Sequence, residues 1–207
     1  MAPVVELAWE DGRLRTSAPG VPARLWARPA ALAAARLALL PPPAALDLAD
    51  GADLLAAAFA VVPFVRGPLP PPAFGAGVTA AARAAFAVYL DEAKGALAVL
   101  RGEPGDFLVC ARCARGVWTV GAFAAAPTTL TVRFEDLWRR LPAAARAFAY
   151  RLDVVRDPHA KDAPAARAAG VVSERHAGLA PDVRVCLDVA RGGGFALVFT
   201  PQAEAAP

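Results

Sequence analysis

The 207-residue sequence contains no isoleucine and no asparagine, a single glutamine (Gln202), and only Lys94 and Lys161 against twenty arginines. Such a bias favours residues with GC-rich codons, and places the gene in a GC-rich genome of the kind carried by actinobacteria, myxobacteria or alphaherpesviruses. It also drains meaning from the arginines. With 22 basic and 19 acidic residues the net charge is only +3, and an arginine in such a genome is no sign by itself of a phosphate partner. Long apolar runs are missing too. The apolar stretch Leu54 to Val65 is interrupted by Pro63 and falls short of the ~20 residues of a bilayer span. A hydrophobic fraction of 57% owes much to alanine, which is only weakly apolar. Glu6, Glu10 and Asp11 occupy the place where a secretory signal is first basic and then apolar, so an intracellular setting is expected. Three cysteines in that setting exclude a disulfide framework.

The chain does hold a series of short apolar runs punctuated by turn residues between Phe86 and Phe134. Phe86 to Leu90 reads as a strand ended by Asp91 to Gly95, and Leu97 to Leu100 as a second, ended by Gly102-Glu-Pro-Gly-Asp106. In a third, period-two alternation sets Phe107, Val109 and Ala111 on one face and Leu108, Cys110 and Arg112 on the other. Val117 to Val120 and Leu130 to Phe134 complete an antiparallel meander, because connections this short do not allow parallel crossovers. The sharpest expectation is that residues 107–113 and 117–123 are adjacent antiparallel strands.

Elsewhere, Glu10-Asp-Gly12 marks an N-terminal hairpin. Helices are expected over residues 29–40, over 53–62 with Asp50 or Asp53 as cap, in a turn or two over 79–85, over 135–141, and from Ala143 to Leu152, where Phe148 and Leu152 stand at i, i+4. Gly67 to Pro72 reads as a stiff polyproline linker, with docking to an SH3- or WW-like domain as its functional alternative. Asp157 to Pro181 reads as a loop. Val183 to Val189 and Phe195 to Phe199 alternate around Arg191-Gly-Gly-Gly194 as a hairpin. These elements predict an α+β fold: a mostly antiparallel meander sheet with two to four helices packed on one face, forming a single domain over residues 1–200 with a disordered tail from 201 to 207.

Candidate chemistry is sparse. Cys110-Ala-Arg-Cys113 is the only CxxC, and in a regular strand its two thiols point to opposite faces, so buried thiols are the plain reading. If Ala114-Arg-Gly116 turned the chain earlier, Cys110, Cys113, Cys186 and His176, or His159 in its place, would make a zinc set; no other cofactor is expected. His176 with Glu174 and Ser173 supplies the residue types of a base and nucleophile, but neighbours in sequence rarely face one another. The glycines at 192–194 precede a strand and not the helix that a phosphate loop requires. Arg139, Arg140, Arg146 and Arg151 read as a solvated helix face, and nucleic acid is not expected. No phosphate loop, paired carboxylates or nucleophile elbow is present. The sequence therefore points to a non-enzymatic protein-protein interaction module, an adaptor, chaperone-like or viral accessory protein with a protein partner or a second copy of itself. The alternative is a small transferase acting on an acyl or nucleotide substrate with dispersed site residues.

Overall fold

The computed structural model describes residues 7–10, 13–16, 44–61, 69–103 and 105–202. The helix expected over 29–40 lies outside the described residues. The N-terminal hairpin is formed by β1 (Leu7–Glu10) and β2 (Arg13–Thr16), with Leu7 opposite Thr16.

The fold is α+β. Its centre is a six-stranded antiparallel sheet made of β5 (Leu97–Glu103), β6 (Phe107–Ala114), β7 (Val117–Ala124), β9 (Ala149–Arg156), β10 (Val172–Leu179) and β12 (Gly194–Gln202), in the order β10-β9-β12-β7-β6-β5. The β6 and β7 strands pair as expected, from Phe107 opposite Ala124 to Ala114 opposite Val117. Arg115 and Gly116 between them both have positive φ, 51° and 79°, the geometry of a two-residue hairpin turn.

Both faces of this sheet are covered, which is why β6 and β7 are nearly continuous buried runs. One face carries α1 (Gly51–Ala56), a π-helical turn (Ala57–Val61) and α2 (Ala80–Leu90). Beside them lies a parallel pair of β3 (Leu46–Asp50) and β4 (Pro72–Gly77). Leu54, Leu55, Phe86, Leu108, Cys110 and Phe123 fill this layer. The α2 helix approaches closely because the sheet offers glycine beneath it: a Cβ on Gly121 would stand 2.3 Å from the Ala85 carbonyl oxygen, and one on Gly194 2.9 Å from the Ala82 Cα.

The other face carries β8 (Thr128–Arg133) paired with β11 (Arg184–Val189), and α3 (Phe134–Trp138). Val109, Val120, Phe134, Leu137, Tyr150 and Phe199 pack there. The last described helix is α4 (Pro164–Ala169). Among the described residues no helix is long and apolar enough to cross a membrane.

Several expectations are corrected. Phe86 to Leu90 is the C-terminal half of α2, not a strand. Residues 149–152 belong to β9 and not to a helix, leaving only a 3-10 turn at Ala143–Ala147. The stretch 157–181 holds α4 and β10. Pro72 starts β4. The strands on either side of Gly192 exist, but β11 pairs with β8 while β12 inserts between β7 and β9, so they form no hairpin. β12 also runs through Gln202, where Pro201 and Gln202 pair with Tyr150 and Ala149.

Candidate functional site

The four residues of the possible zinc set fall in separate places. Cys110 is buried beneath α2, its thiol on the Gly121 carbonyl at 3.5 Å. Cys113 packs against the opposite layer, because β6 stays regular through Ala114 and alternation sends the two side chains to opposite faces. Cys186 is exposed on β11, with its Sγ 3.1 Å from Thr131 Oγ1. His176 is exposed on β10, and its Nε2 lies 3.5 Å from Glu174 Oε2. Among the described residues no group of three or more His, Cys, Asp and Glu side chains is placed to hold a metal. Burial pushes the Cys110 thiol up to about 12. At mildly alkaline pH a chromogenic disulfide should therefore titrate Cys186 at once, Cys113 slowly and Cys110 only after denaturant; immediate reaction of Cys110 would contradict the packing beneath α2.

The two histidines build no catalytic group. Glu174 and His176 share one face of β10, and alternation turns Ser173 to the other. His159 donates its backbone N–H to Asp162 Oδ2. Asp162 in turn holds the buried Arg156, which also binds Glu174 Oε1 at 2.6 Å. The guanidinium keeps the Asp162 carboxyl well below its ordinary range, so neither partner is a ready proton donor.

The glycine turn is spent on architecture as well. Gly192 N–H donates to the Ala124 carbonyl and Gly193 N–H to that of Ala190. Gly194 N–H donates to Asp157 Oδ2 at 2.8 Å. Asp157 is buried, and burial raises its carboxyl against the lowering effects of the Thr79 hydroxyl and the Gly194 amide. With Thr79 capping α2 through Ala82 N–H, the aspartate fastens the start of the helix to the turn.

Two hollows remain. One, of about 370 Å³, lies between β4 and α2 on Pro72, Phe74, Phe86 and Leu90, with Arg83 and Asp91 at its edge. Its arginine is already engaged: Nε and Nη2 donate to the carbonyls of Val78 and Gly75, and the guanidinium sits 5.5 Å from the Phe74 ring centroid.

The other hollow is a cleft of about 330 Å³ between the β5 edge of the large sheet and the β8–α3 corner. Leu100 and Arg101 come from β5, Val109 from β6, and Thr131, Val132 and Arg133 from β8. Asp136, Arg139 and Arg140 come from α3 and the turn after it. Val109 and Val132 are buried and give it an apolar floor, while its four arginines are exposed. A bulge aims Arg101 into it. Val99 is opposite Cys110, but Arg101 is opposite Val109, so Leu100 is an extra residue. Without it Val99 and Arg101 would share a face; with it Arg101 moves to the cleft side. Among the described residues, only Arg139 of the four has a carboxylate within salt-bridge reach, that of Glu135. Three unneutralised guanidinium groups around one hollow make a site for anions, since each offers a planar fork of donors to a carboxylate or sulfate. Asp136 adds a carboxylate that can accept from a hydroxyl.

The sequence did not show this cleft, because its arginines come from a strand edge, a strand end and a helix end. The sequence groups Arg139 and Arg140 with Arg146 and Arg151 on one helix face. In fact Arg146 stacks on Trp138 at 5.4 Å and Arg151 lies on β9 against Asp153.

No protein-family model matches the sequence, and no curated protein matches it. Among solved structures the fold is similar to part of a glycoside hydrolase family 97 enzyme from Pseudoalteromonas sp. strain K8. Its complex with panose matches at 18% identity with a TM-score of 0.56, and its complex with acarbose at 17% identity with a TM-score of 0.54. In both, 74% of this chain aligns with 29% of that one, so the match spans under a third of the enzyme. The likeness shows a fold that is built into a sugar-cleaving enzyme. It corrects the expectation of a non-enzymatic protein-protein interaction module.

Proposed function

We propose that this chain is a saccharide-holding domain of carbohydrate-active type, and that the arginine-ringed cleft takes an acidic sugar unit. The observation that carries the reading is the cleft itself: four arginines and one aspartate over an apolar floor. Its support in the fold is the likeness to part of a glycoside hydrolase. The arginine forks bind the anionic group, Asp136 accepts from a ring hydroxyl, and Val109 and Val132 meet the apolar edge of the ring. Cleavage of a glycosidic bond by the usual route takes a pair of carboxylates flanking it, and Asp136 is the single carboxylate among the residues lining this cleft. Its task in the proposal is therefore to hold and orient a saccharide.

Calorimetric titration of the full chain with galacturonate and with galactose tests the reading. Galacturonate should bind and galactose should not, and Arg133→Gln or Arg140→Gln should each weaken galacturonate roughly tenfold, the value of one charge-assisted hydrogen-bonded contact. Equal binding of the two sugars, or binding of neither, would overturn it.

A further inference from the structure

The cationic surface does not stop at the cleft. Arg184 on β11 is directly opposite Arg133 on β8, and directly opposed residues of an antiparallel pair project from the same face with their Cβ atoms ~5 Å apart. Like charges in that position repel, and no ion pair among the described residues relieves them. Among the described residues neither arginine has a carboxylate within salt-bridge distance, Asp182 included. Val183, Val185 and Leu187 turn inward against the second core layer, leaving Arg184, Cys186 and Asp188 exposed in alternation. This outer face is polarised. Its Arg133–Arg184 rung adjoins the cleft, Thr131 and Cys186 follow, and the far rung carries Asp188, whose carboxylate accepts from Thr129 Oγ1 at 2.7 Å. An anion is drawn to the first rung and repelled from the last.

We infer that the ligand is a linear acidic polysaccharide, which leaves the cleft across the Arg133–Arg184 rung and sets a second anionic group on Arg184. This rests on the reading of the cleft as a site for an acidic sugar, and extends it from one charged unit to a chain. A single acidic sugar satisfies the cleft arginines and leaves Arg184 repelling Arg133. A chain carrying a charge on successive sugars answers both. Nucleic acid is the weaker fit, because single strands are held through aromatic platforms on which bases stack, and the cleft is lined by no aromatic residue. The anion itself is either a uronic carboxylate or a sulfate, two groups that an arginine fork receives in the same way.

The experiment titrates the full chain with galacturonate, octagalacturonate, a sulfated heparin octasaccharide and an eight-nucleotide single-stranded DNA, and follows Cys186 with a chromogenic disulfide. The octasaccharides should bind at least tenfold more tightly than galacturonate, and the better of the two identifies the anion. Arg184→Gln should weaken the octasaccharides five- to tenfold and galacturonate less than twofold. Bound octasaccharide should slow the reaction of Cys186, which lies one alternation from Arg184 and beside the cleft residue Thr131. Unchanged octasaccharide affinity in Arg184→Gln, with galacturonate still bound, would overturn the chain and spare the cleft. Loss of galacturonate binding altogether would remove the cleft reading itself. Binding of DNA as tight as that of the sugars would overturn the choice of polysaccharide.

Discussion

Replacing Arg112 by methionine should lower the unfolding free energy by about 3–5 kcal/mol. Arg112 is 6% exposed and has no acidic partner among the described salt bridges. It is held by carbonyl groups. Nε donates to Val88 at 2.9 Å, Nη2 to Tyr89 at 2.6 Å and Nη1 to Gly95 at 2.6 Å. Val88 and Tyr89 are in the last turn of α2, where carbonyls have no partner within the helix and where the helix dipole favours a cation. The guanidinium thus closes the helix from the sheet below it. Methionine fills much of the space but leaves the carbonyls buried and unanswered. Lysine keeps the charge without the fork, and should recover only part of the loss. Chemical denaturation of the three proteins decides the matter: a loss under 1 kcal/mol in the methionine variant would mean that water replaces the guanidinium at no cost.

Truncating Phe134 to alanine should cost about 4 kcal/mol, within the range for a large aromatic removed from a packed core. Phe134 is fully buried, stacked on Phe199 at 4.6 Å and tilted against Tyr150 at 5.1 Å. Its N–H donates to the Val183 carbonyl at 2.9 Å. One residue therefore joins β8, α3, the approach to β11 and two strands of the large sheet. For a chain of this size the melting temperature should fall by roughly 8–16 °C. Leucine should restore more than half of it, since it refills most of the cavity. Equal losses for leucine and alanine would assign the effect to the ring contacts alone.

How far the sequence announces this structure depends on the element. Residues 107–124 were legible because their alternation and turn glycines agree, and the opposite placement of Cys110 and Cys113 followed from period two. The C-terminal half of α2 was not. Phe86, Val88 and Tyr89 are residues that strands favour, and the helical stripe through Ala82, Ala85, Phe86 and Tyr89 is hidden where most neighbours are alanine too. β9 was disguised in the other direction by its alanine- and arginine-rich approach, although Tyr150, Leu152 and Val154 do alternate. β10 is an exposed edge strand with charges and Gly178, and so lacks the apolar repeat that marks a strand. The pairing of β11 with β8 left no trace in either segment. That non-local pairing sets Arg184 beside Arg133, and with the bulge at Leu100 it makes the gathering of these arginines a property of the folded chain alone.

The contact between α2 and the sheet has a consequence for how this gene tolerates mutation. Glycine and alanine codons differ by one base at the second position and both are GC-rich, so a single base change exchanges them without altering the GC content. Where an exposed glycine has ordinary backbone angles that exchange costs little, whereas Gly105 and Gly178, with φ of 89° and 66°, would be strained by it. At Gly121 and Gly194 the same base change drives a methyl group into the backbone of β12's neighbour or of the helix above. The glycines that let helix and sheet meet backbone to backbone thus leave the fold open to damage by a single base change.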